Sequence, residues 1–257
     1  MNTIKSIISA SFLGFLLIIS TFSFAQRIKS KDSTVSMSMM HVHYAFLMPA
    51  GDLSSRFGNT INIGTGFLHK TKKNFIWGAE VNYLSGSDVK EKYILDSLKT
   101  VKGKFITNEG RNADVRVFER GFSTYAHAGK IFPVFGSNKN SGIMILAGVG
   151  FLQHKIHIEV LEENVPSLSS NYRIGYDRLT NGISLHEFLG YFYVSERMRI
   201  NFMAGFDFSQ SFTKNRRDWD FFAQRKLDES RKDYLNGFKV GFILPLYQRQ
   251  PKEFYYR

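Results

Sequence analysis

Eight short segments, in which apolar and polar residues alternate in steps of two, constrain the fold of this chain most. They cover residues 35–48, 60–69, 75–85, 122–132, 141–160, 182–195, 199–213 and 237–247. Successive side chains of a β-strand point to opposite faces, so this period predicts strands. The seventh segment shows it most clearly, because Phe202 and Phe206 alternate with Asn201, Gly205 and Asp207.

The gaps between these segments are long and short in turn. Gaps 49–59, 86–121, 161–181 and 214–234 are long, whereas 70–74, 133–140 and 196–198 are short. Transmembrane barrels have short turns at one end and long loops at the other, and a tilted strand crosses a bilayer in roughly 9 to 11 residues. A soluble sandwich would also alternate, but it would not sort its gaps. We predict an all-β fold, an eight-stranded antiparallel up-and-down transmembrane β-barrel with long extracellular loops.

The N-terminus predicts export. Lys5 precedes an almost wholly apolar stretch at residues 7–22, and Ser23-Phe24-Ala25 forms a small-x-small cleavage site. We expect residues 1–25 to be a cleaved signal peptide, the alternative being a retained N-terminal anchor. Residues 26–34 would then form a short periplasmic segment, residues 35–247 the barrel in the cell outer membrane, and residues 248–257 a periplasmic tail.

Composition excludes several classes of function. The chain of 257 residues has no cysteine, which rules out disulfides, thiolate metal sites, cysteine nucleophiles and a lipid-anchored cysteine. The formal charge of +12 is spread over turns and loops among 22 acidic residues. We therefore expect no nucleic-acid partner.

Charged residues inside the strands predict the content of the barrel. A carboxylate on the lipid face at mid-membrane is expensive, so we expect Glu80, Glu187 and Asp207 to point into the lumen with Lys239 and His127. These residues could form a proton or ion path, or a salt-bridge network that fills the interior. We favour the network, because both signs are present and unpaired buried charge is costly.

Two histidines in the first segment are candidate metal ligands. His41 and His43 share one strand face and could present two imidazoles to one ion. The sequence identifies no third ligand, so we expect hydrogen-bonded histidines, no metal site and no cofactor. Gly64 and Gly66 near them are interpreted as strand glycines that admit close packing or bends.

Catalysis is a weaker hypothesis. Some small barrels are lipid-modifying enzymes or proteases, and the residue types for such chemistry are present, but no spacing ties them together. The residues of suitable type are Ser123, His127, His186, Glu187 and Asp207. Because their spacing matches no catalytic arrangement, we expect none of them to be catalytic.

The last long loop carries the clearest candidates for a contact with another molecule. Arg216, Arg217 and Trp219 combine cations with an aromatic ring and could bind lipopolysaccharide phosphates or a protein. The alternative is a solvated loop with internal ion pairs.

Several short stretches resemble outer-membrane β-barrel proteins of Bacteroidota. They are Phe24-Ala25-Gln26, residues 49–58, Leu244-Pro245-Leu246-Tyr247 and Glu253-Phe254-Tyr255-Tyr256. The resemblance implies a barrel broadly similar to the OmpA/OmpX type, in a lineage where some such proteins work beside the type IX secretion machinery. Many outer-membrane barrels end on an aromatic residue in the last strand, whereas Arg257 ends this chain, so either Leu246-Tyr247 or the terminal aromatic cluster is the assembly signal.

The function we predict is that of a non-enzymatic structural or interaction barrel. Its loops at 86–121 and 214–234 would contact outer-membrane lipid, lipopolysaccharide or another envelope protein. The alternatives are an accessory component of a type IX-like secretion complex, a narrow, porin-like pore, and a lipid-modifying barrel enzyme.

Overall fold

A computed structural model describes residues 34–135, 138–161, 165–195 and 200–246. The predicted signal peptide and C-terminal tail lie outside these described residues. Within the described ranges, no helix combines the length and apolar character needed to cross a membrane.

Eight long strands form the body of the protein. Each pairs antiparallel with its neighbour in the order β1-β10-β9-β8-β7-β6-β3-β2, and β1 pairs with both β2 and β10, which closes the barrel. The predicted eight-stranded up-and-down architecture is confirmed. The strands are β1 (Met37–Gly51), β2 (Thr60–Lys70), β3 (Phe75–Gly86), β4 (Phe105–Ile106), β5 (Asn112–Ala113), β6 (Val115–Phe132), β7 (Gly142–Val160), β8 (Thr180–Val194), β9 (Asn201–Asn215) and β10 (Ser230–Leu246), of which β4 and β5 form a separate small hairpin.

The connections differ between the two ends of the barrel. Four long loops, 52–59, 87–114, 161–179 and 216–229, lie at what we call the loop end, and the short connections 71–74, 133–141 and 195–200 lie at the turn end. The loops contain short helices: α1 (Leu53–Arg56), α2 (Ser170–Ile174), and two 3-10 helices, Lys92–Leu98 and Pro166–Leu168.

β6 and β10 extend by seven residues further at the loop end than the sequence predicted. β6 begins at Val115 and β10 at Ser230, whereas the sequence pattern placed loops through residues 121 and 234. The reason is that outward residues become polar above Phe122 while the backbone pairing with β7 continues to Val160. The inward side chains at this level are mixed: Ile156 and Ile158 of β7 pack under the loops, whereas Glu119 of β6 and Asp233 of β10 are buried charges.

The outer surface of the barrel is apolar around its middle. Outward side chains on all eight strands form this band, which we call the apolar belt, and aromatic rings are frequent in it. Such a surface suits lipid contact rather than water. Exposed members are Met40, Val42, Tyr44, Phe46, Ile61, Ile63, Phe75, Trp77, Val81, Tyr83, Phe122, Ile145, Val149, Ile183, Leu185, Leu189, Phe202, Phe206, Phe238, Val240, Phe242 and Leu244.

The lumen is filled in three layers. Near the turn end, apolar side chains including Met39, Phe188 and Phe192 pack into one cluster. Near the loop end, Leu53, Phe57 and other loop residues enter the barrel mouth and pack against inward strand residues. A polar layer lies between the two clusters. An eight-stranded barrel has room for little more than its own inward side chains, so this filling follows from the strand number.

Candidate functional site

Lys239 is the centre of the polar layer. Its ammonium nitrogen donates to Glu80 Oε1 at 3.0 Å and lies 2.6 Å from Asp207 Oδ1. All three side chains are almost fully buried. A buried cation shared between two carboxylates satisfies the strongest charges in the lumen, because each ion keeps a partner where water is excluded.

Imidazole rings surround this ionic centre. His186 Nε2 donates to Asp207 Oδ1 at 2.9 Å, and its ring stacks on that of Tyr125 with 4.5 Å between centroids. His127 lies 6.1 Å from His186, ring to ring. The cluster thus draws side chains from β3, β6, β8, β9 and β10 to one level of the barrel.

His41 and His43 complete the layer from β1. Their rings stack with centroids 5.2 Å apart. His43 Nε2 donates to Asn82 Oδ1 at 2.7 Å, and Asn82 Nδ2 in turn donates to Glu80 Oε1 at 3.2 Å. His41 Nε2 lies 3.6 Å from Glu80 Oε2. His41 therefore faces the Glu80 oxygen that Lys239 does not contact.

Glycines on β2 make space for this pair. Gly66 lies opposite His41 and Gly64 opposite His43 in the strand register. A Cβ added to Gly66 would come within 2.5 Å of His41 Cε1, and one added to Gly64 within 2.5 Å of His43 Nε2. These glycines are strand residues that admit close packing, as the sequence indicated, and the packing partners are the two imidazoles.

The structure brings four of the five residues proposed for the lumen network together. Glu80, His127, Asp207 and Lys239 are buried in the polar layer.

Glu187 is a correction to the predicted network. It lies on the outer face of β8 in the apolar belt, and its neighbours His186 and Phe188 point inward instead. The prediction was wrong because apolar residues occupy both faces of β8, so alternation did not fix the direction and the cost of a lipid-facing carboxylate was given too much weight.

The polar layer leaves little free space. Its cavity measures about 10 Å³ and is lined by residues including His41, Glu80, His127 and Lys239. That volume is near the minimum for one water molecule. Of the catalytic candidates, Ser123 accepts a hydrogen bond from Asn82 Nδ2, while His186 pairs with Asp207.

At the loop end, a chain of ion pairs ties the four loops into what we call the cap. Glu91 accepts from Arg56 Nε at 3.0 Å and from Arg178 Nη1 at 2.8 Å, and Arg178 Nε donates to Asp220 Oδ2 at 2.9 Å. These four residues belong to four different loops. Because they are largely buried, the cap is held by specific pairs rather than by a solvated set of charges.

The environment shifts the pKa values of these arginines in opposite directions. Burial, with the nearby charge of Arg231, lowers the pKa of Arg56 to about 10 against the effect of Glu91. For Arg178, burial acts to lower the pKa, but Glu91 and Asp220 raise it above its usual value. Both guanidinium groups stay charged at neutral pH, so the cap keeps its ion pairs under ordinary conditions.

An open aromatic groove of about 820 Å³ crosses the cap. Trp219 and Tyr172 line it with about half of their surface exposed, and Phe221 is 39% exposed. Ser167 and Gln224 supply polar groups. Large exposed rings beside a few hydrogen-bonding groups are typical of a binding site. Leu98, Pro166 and Tyr176 complete the lining.

The three loop residues proposed from the sequence have different environments. Trp219 lines the groove, whereas Arg217 forms an ion pair with Asp177, with Nε 2.7 Å from Oδ1. Arg216 is exposed and donates to Asn181 Oδ1 at 2.6 Å. The alternative of internal ion pairs therefore describes Arg217, and the contact surface centres on Trp219.

Sequence reasoning missed the groove residues of the third long loop and the ion-pair chain. Tyr172 and Tyr176 were overlooked, although their spacing of four places them on one side of a helical turn. Arg56 and Glu91 carry no local signal, because their pairing depends on how two loops meet.

A set of outward cations lies between the apolar belt and the loops. We call it the basic collar. It is formed by side chains of β6, β7, β9 and β10 that follow the belt in the outward-facing series: Arg116, Arg120, Lys155, Lys214 and Lys232.

No family model matches the chain, and no curated protein matches it. Solved structures with a similar fold are small outer-membrane barrels. Neisserial surface protein A is 10% identical with a TM-score of 0.40, covering 80% of this chain and 96% of that one. Ail, the attachment invasion locus protein of Yersinia pestis, is 12% identical with a TM-score of 0.37, covering 81% and 99%. The N-terminal barrel of Pseudomonas aeruginosa OprF is 12% identical with a TM-score of 0.37, covering 82% and 100%. The barrel assignment rests on the strand pairing of this chain, and a Bacteroidota origin stays a prediction.

Proposed function

We propose that this chain is an outer-membrane barrel without enzymatic activity that binds a partner at the cell surface through its cap. The observation that carries the proposal is the contrast between the lumen and the cap. The lumen is filled, while the cap holds an open groove with exposed aromatic rings. A filled barrel offers no room inside for an organic substrate or a passing solute, so we place partner binding on the loops.

The apolar belt supports the membrane location. A continuous ring of exposed apolar side chains, closed without an edge strand, is the form in which β-structure is stable in lipid. With the termini of the barrel in the periplasm, the loop end faces the cell exterior, as in other transmembrane barrels with long loops.

The basic collar supports contact with lipopolysaccharide. Its arginines and lysines lie on the loop-end side of the belt, the side that would face the outer leaflet. Arginine and lysine are the residues that bind phosphate most strongly. We propose that lipopolysaccharide surrounds the barrel here, beneath the partner that the groove binds.

Of the alternative functions, the narrow pore is disfavoured by the two apolar clusters that close the polar layer at both ends, and a lipid-modifying enzyme stays an alternative. An accessory role in a secretion complex is one form of the proposed surface binding.

The test is photo-crosslinking in living cells at native expression level. A photoreactive phenylalanine analogue replaces Trp219, which lines the groove, or Phe135, which is exposed at the turn end and serves as the matched control. We expect a specific adduct from position 219 that position 135 does not give. Mass spectrometry and carbohydrate staining then identify it as protein or lipopolysaccharide. No adduct at position 219, or the same adduct at both positions, contradicts the proposal.

A further inference from the structure

Three residues inside the barrel can meet at one point as metal ligands. His41 and His43 of β1 and Glu80 of β3 each offer one ligand atom, and these atoms all lie within 4.8 Å of one another. The sequence supplied the two histidines but not the third ligand, because β2 separates the two strands. The register of β1, β2 and β3 brings Glu80 to Gly66, directly beside His41.

The hydrogen bonds leave the right atoms free. His43 donates through Nε2 to Asn82 Oδ1, so in its neutral form Nδ1 carries a lone pair, and Nδ1 has no hydrogen-bond partner. Neither ring nitrogen of His41 has a hydrogen-bond partner. Glu80 uses Oε1 for Lys239 and Asn82, which leaves Oε2 facing His41. A buried lone pair without a donor is unfavourable, and a cation would satisfy those of the two imidazoles.

The surroundings resemble those that orient metal ligands. A ligating histidine usually donates its second N–H to an oxygen acceptor, and a ligating carboxylate is itself hydrogen-bonded. Asn82 performs both tasks here, since it accepts from His43 and donates to Glu80. Its amide orientation is fixed by these two contacts together.

The charge of the cluster favours a cation as well. Counting the histidines as neutral, Glu80 and Asp207 contribute two negative charges and Lys239 one positive charge, which leaves an excess of one negative charge in the polar layer. A dication changes the sign of this excess without raising its magnitude. Two imidazoles with one carboxylate are a typical ligand set for Zn²⁺.

We propose that His41, His43 and Glu80 bind one divalent transition-metal ion, Zn²⁺ by its chemistry, inside the barrel. The ligand atoms draw together to roughly 3.3 Å from one another, the separation that a tetrahedral site with bonds of about 2.0–2.1 Å requires. The ion links β1 to β3 across β2 and takes up the unpaired imidazole nitrogens. Because the lumen is closed at both ends, the ion enters as the barrel folds. The site does not depend on the proposed surface function.

The experiment refolds the metal-free full chain in detergent with ZnCl₂ or CoCl₂ present, followed by dialysis and elemental analysis of the folded protein. We expect one equivalent of metal per chain, and with Co²⁺ the strong visible absorption of a tetrahedral site. His41→Asn and His43→Asn should each bind less than one-tenth of an equivalent. His69→Asn is the matched control, since His69 lies on the outer face of β2, and it should keep the full equivalent.

Two results overturn the proposal. One is a wild-type chain, folded by circular dichroism and heat-modifiable gel migration, that binds less than one-tenth of an equivalent. The other is full binding by both folded histidine variants. If the variants do not fold, the wild type is tested without them, loaded with Cu²⁺. Its electron paramagnetic resonance spectrum should show coupling to two imidazole nitrogens. A spectrum without this coupling contradicts the site.

Discussion

At the scale of single residues, Lys239 is the side chain in the lumen on which we expect the stability of the folded barrel to depend most. It is the cation nearest to both Glu80 and Asp207, and all three are buried. Removing one partner of a buried ion pair leaves an uncompensated charge, which destabilises more strongly than removing both.

We therefore expect Lys239→Met to destabilise the barrel by about 3–5 kcal/mol, measured as the free energy of unfolding in urea in lipid vesicles. The control is Lys130→Met, because Lys130 lies over the outer rings of Phe75 and Phe132 and contacts no buried carboxylate among the described ion pairs. That control should change stability by about 1 kcal/mol or less. Equal losses in the two variants would mean that the lumen charges are not coupled.

At the scale of elements, the cap is a folded unit rather than four independent loops. The chain of ion pairs through Glu91 joins the loops, and apolar side chains beneath it pack into the barrel mouth. Glu91 is its key member because it accepts from two arginines.

We expect Glu91→Gln to loosen the loop 87–114. Arg56 and Arg178 would lose their shared carboxylate, so trypsin should cleave after Lys99 or Lys102 at least tenfold faster, since each 1.4 kcal/mol of opening free energy corresponds to a factor of ten. Limited proteolysis of the folded protein followed by mass spectrometry measures this.

The control for this change is Asp96→Asn in the same loop. Asp96 pairs with Lys99, but its side chain is 59% exposed, so the pair contributes little to stability. A similar acceleration in both variants would show that the ion-pair chain does not hold the loop.

At the scale of the whole molecule, side chains fill the lumen of the barrel, and the open groove lies at one end. Two apolar clusters and the polar layer fill it independently of one another. Closure of the lumen therefore does not depend on the cap alone.

We expect the purified protein to give no current steps in planar bilayers. A variant in which a short linker replaces residues 87–114 should stay closed too, because the polar layer and the turn-end cluster remain. An open porin in the same bilayers is the positive control. Step currents from the wild type would contradict the filled lumen, and steps from the variant alone would assign closure to the cap.

The sequence predicted those features that depend on neighbours along a strand. Alternation placed Asp207 and Lys239 inward, since their flanking residues are consistently apolar. It failed at Glu187, where both faces of β8 carry apolar residues. The contact of Glu80 with Lys239 joins strands separated by β1 and β2, and the link from Arg56 to Glu91 joins two loops, so neither leaves a periodic signal.

The seam between β1 and β10 gives the buried lysine a role in assembly. These strands are the most distant in sequence, and Lys239 lies opposite Ala45 across the seam. A slip of one residue would turn Lys239 into lipid and leave Glu80 and Asp207 without their cation. The charges of the lumen thus favour the correct register of the two strands over a register shifted by one residue, because only the correct register pairs them.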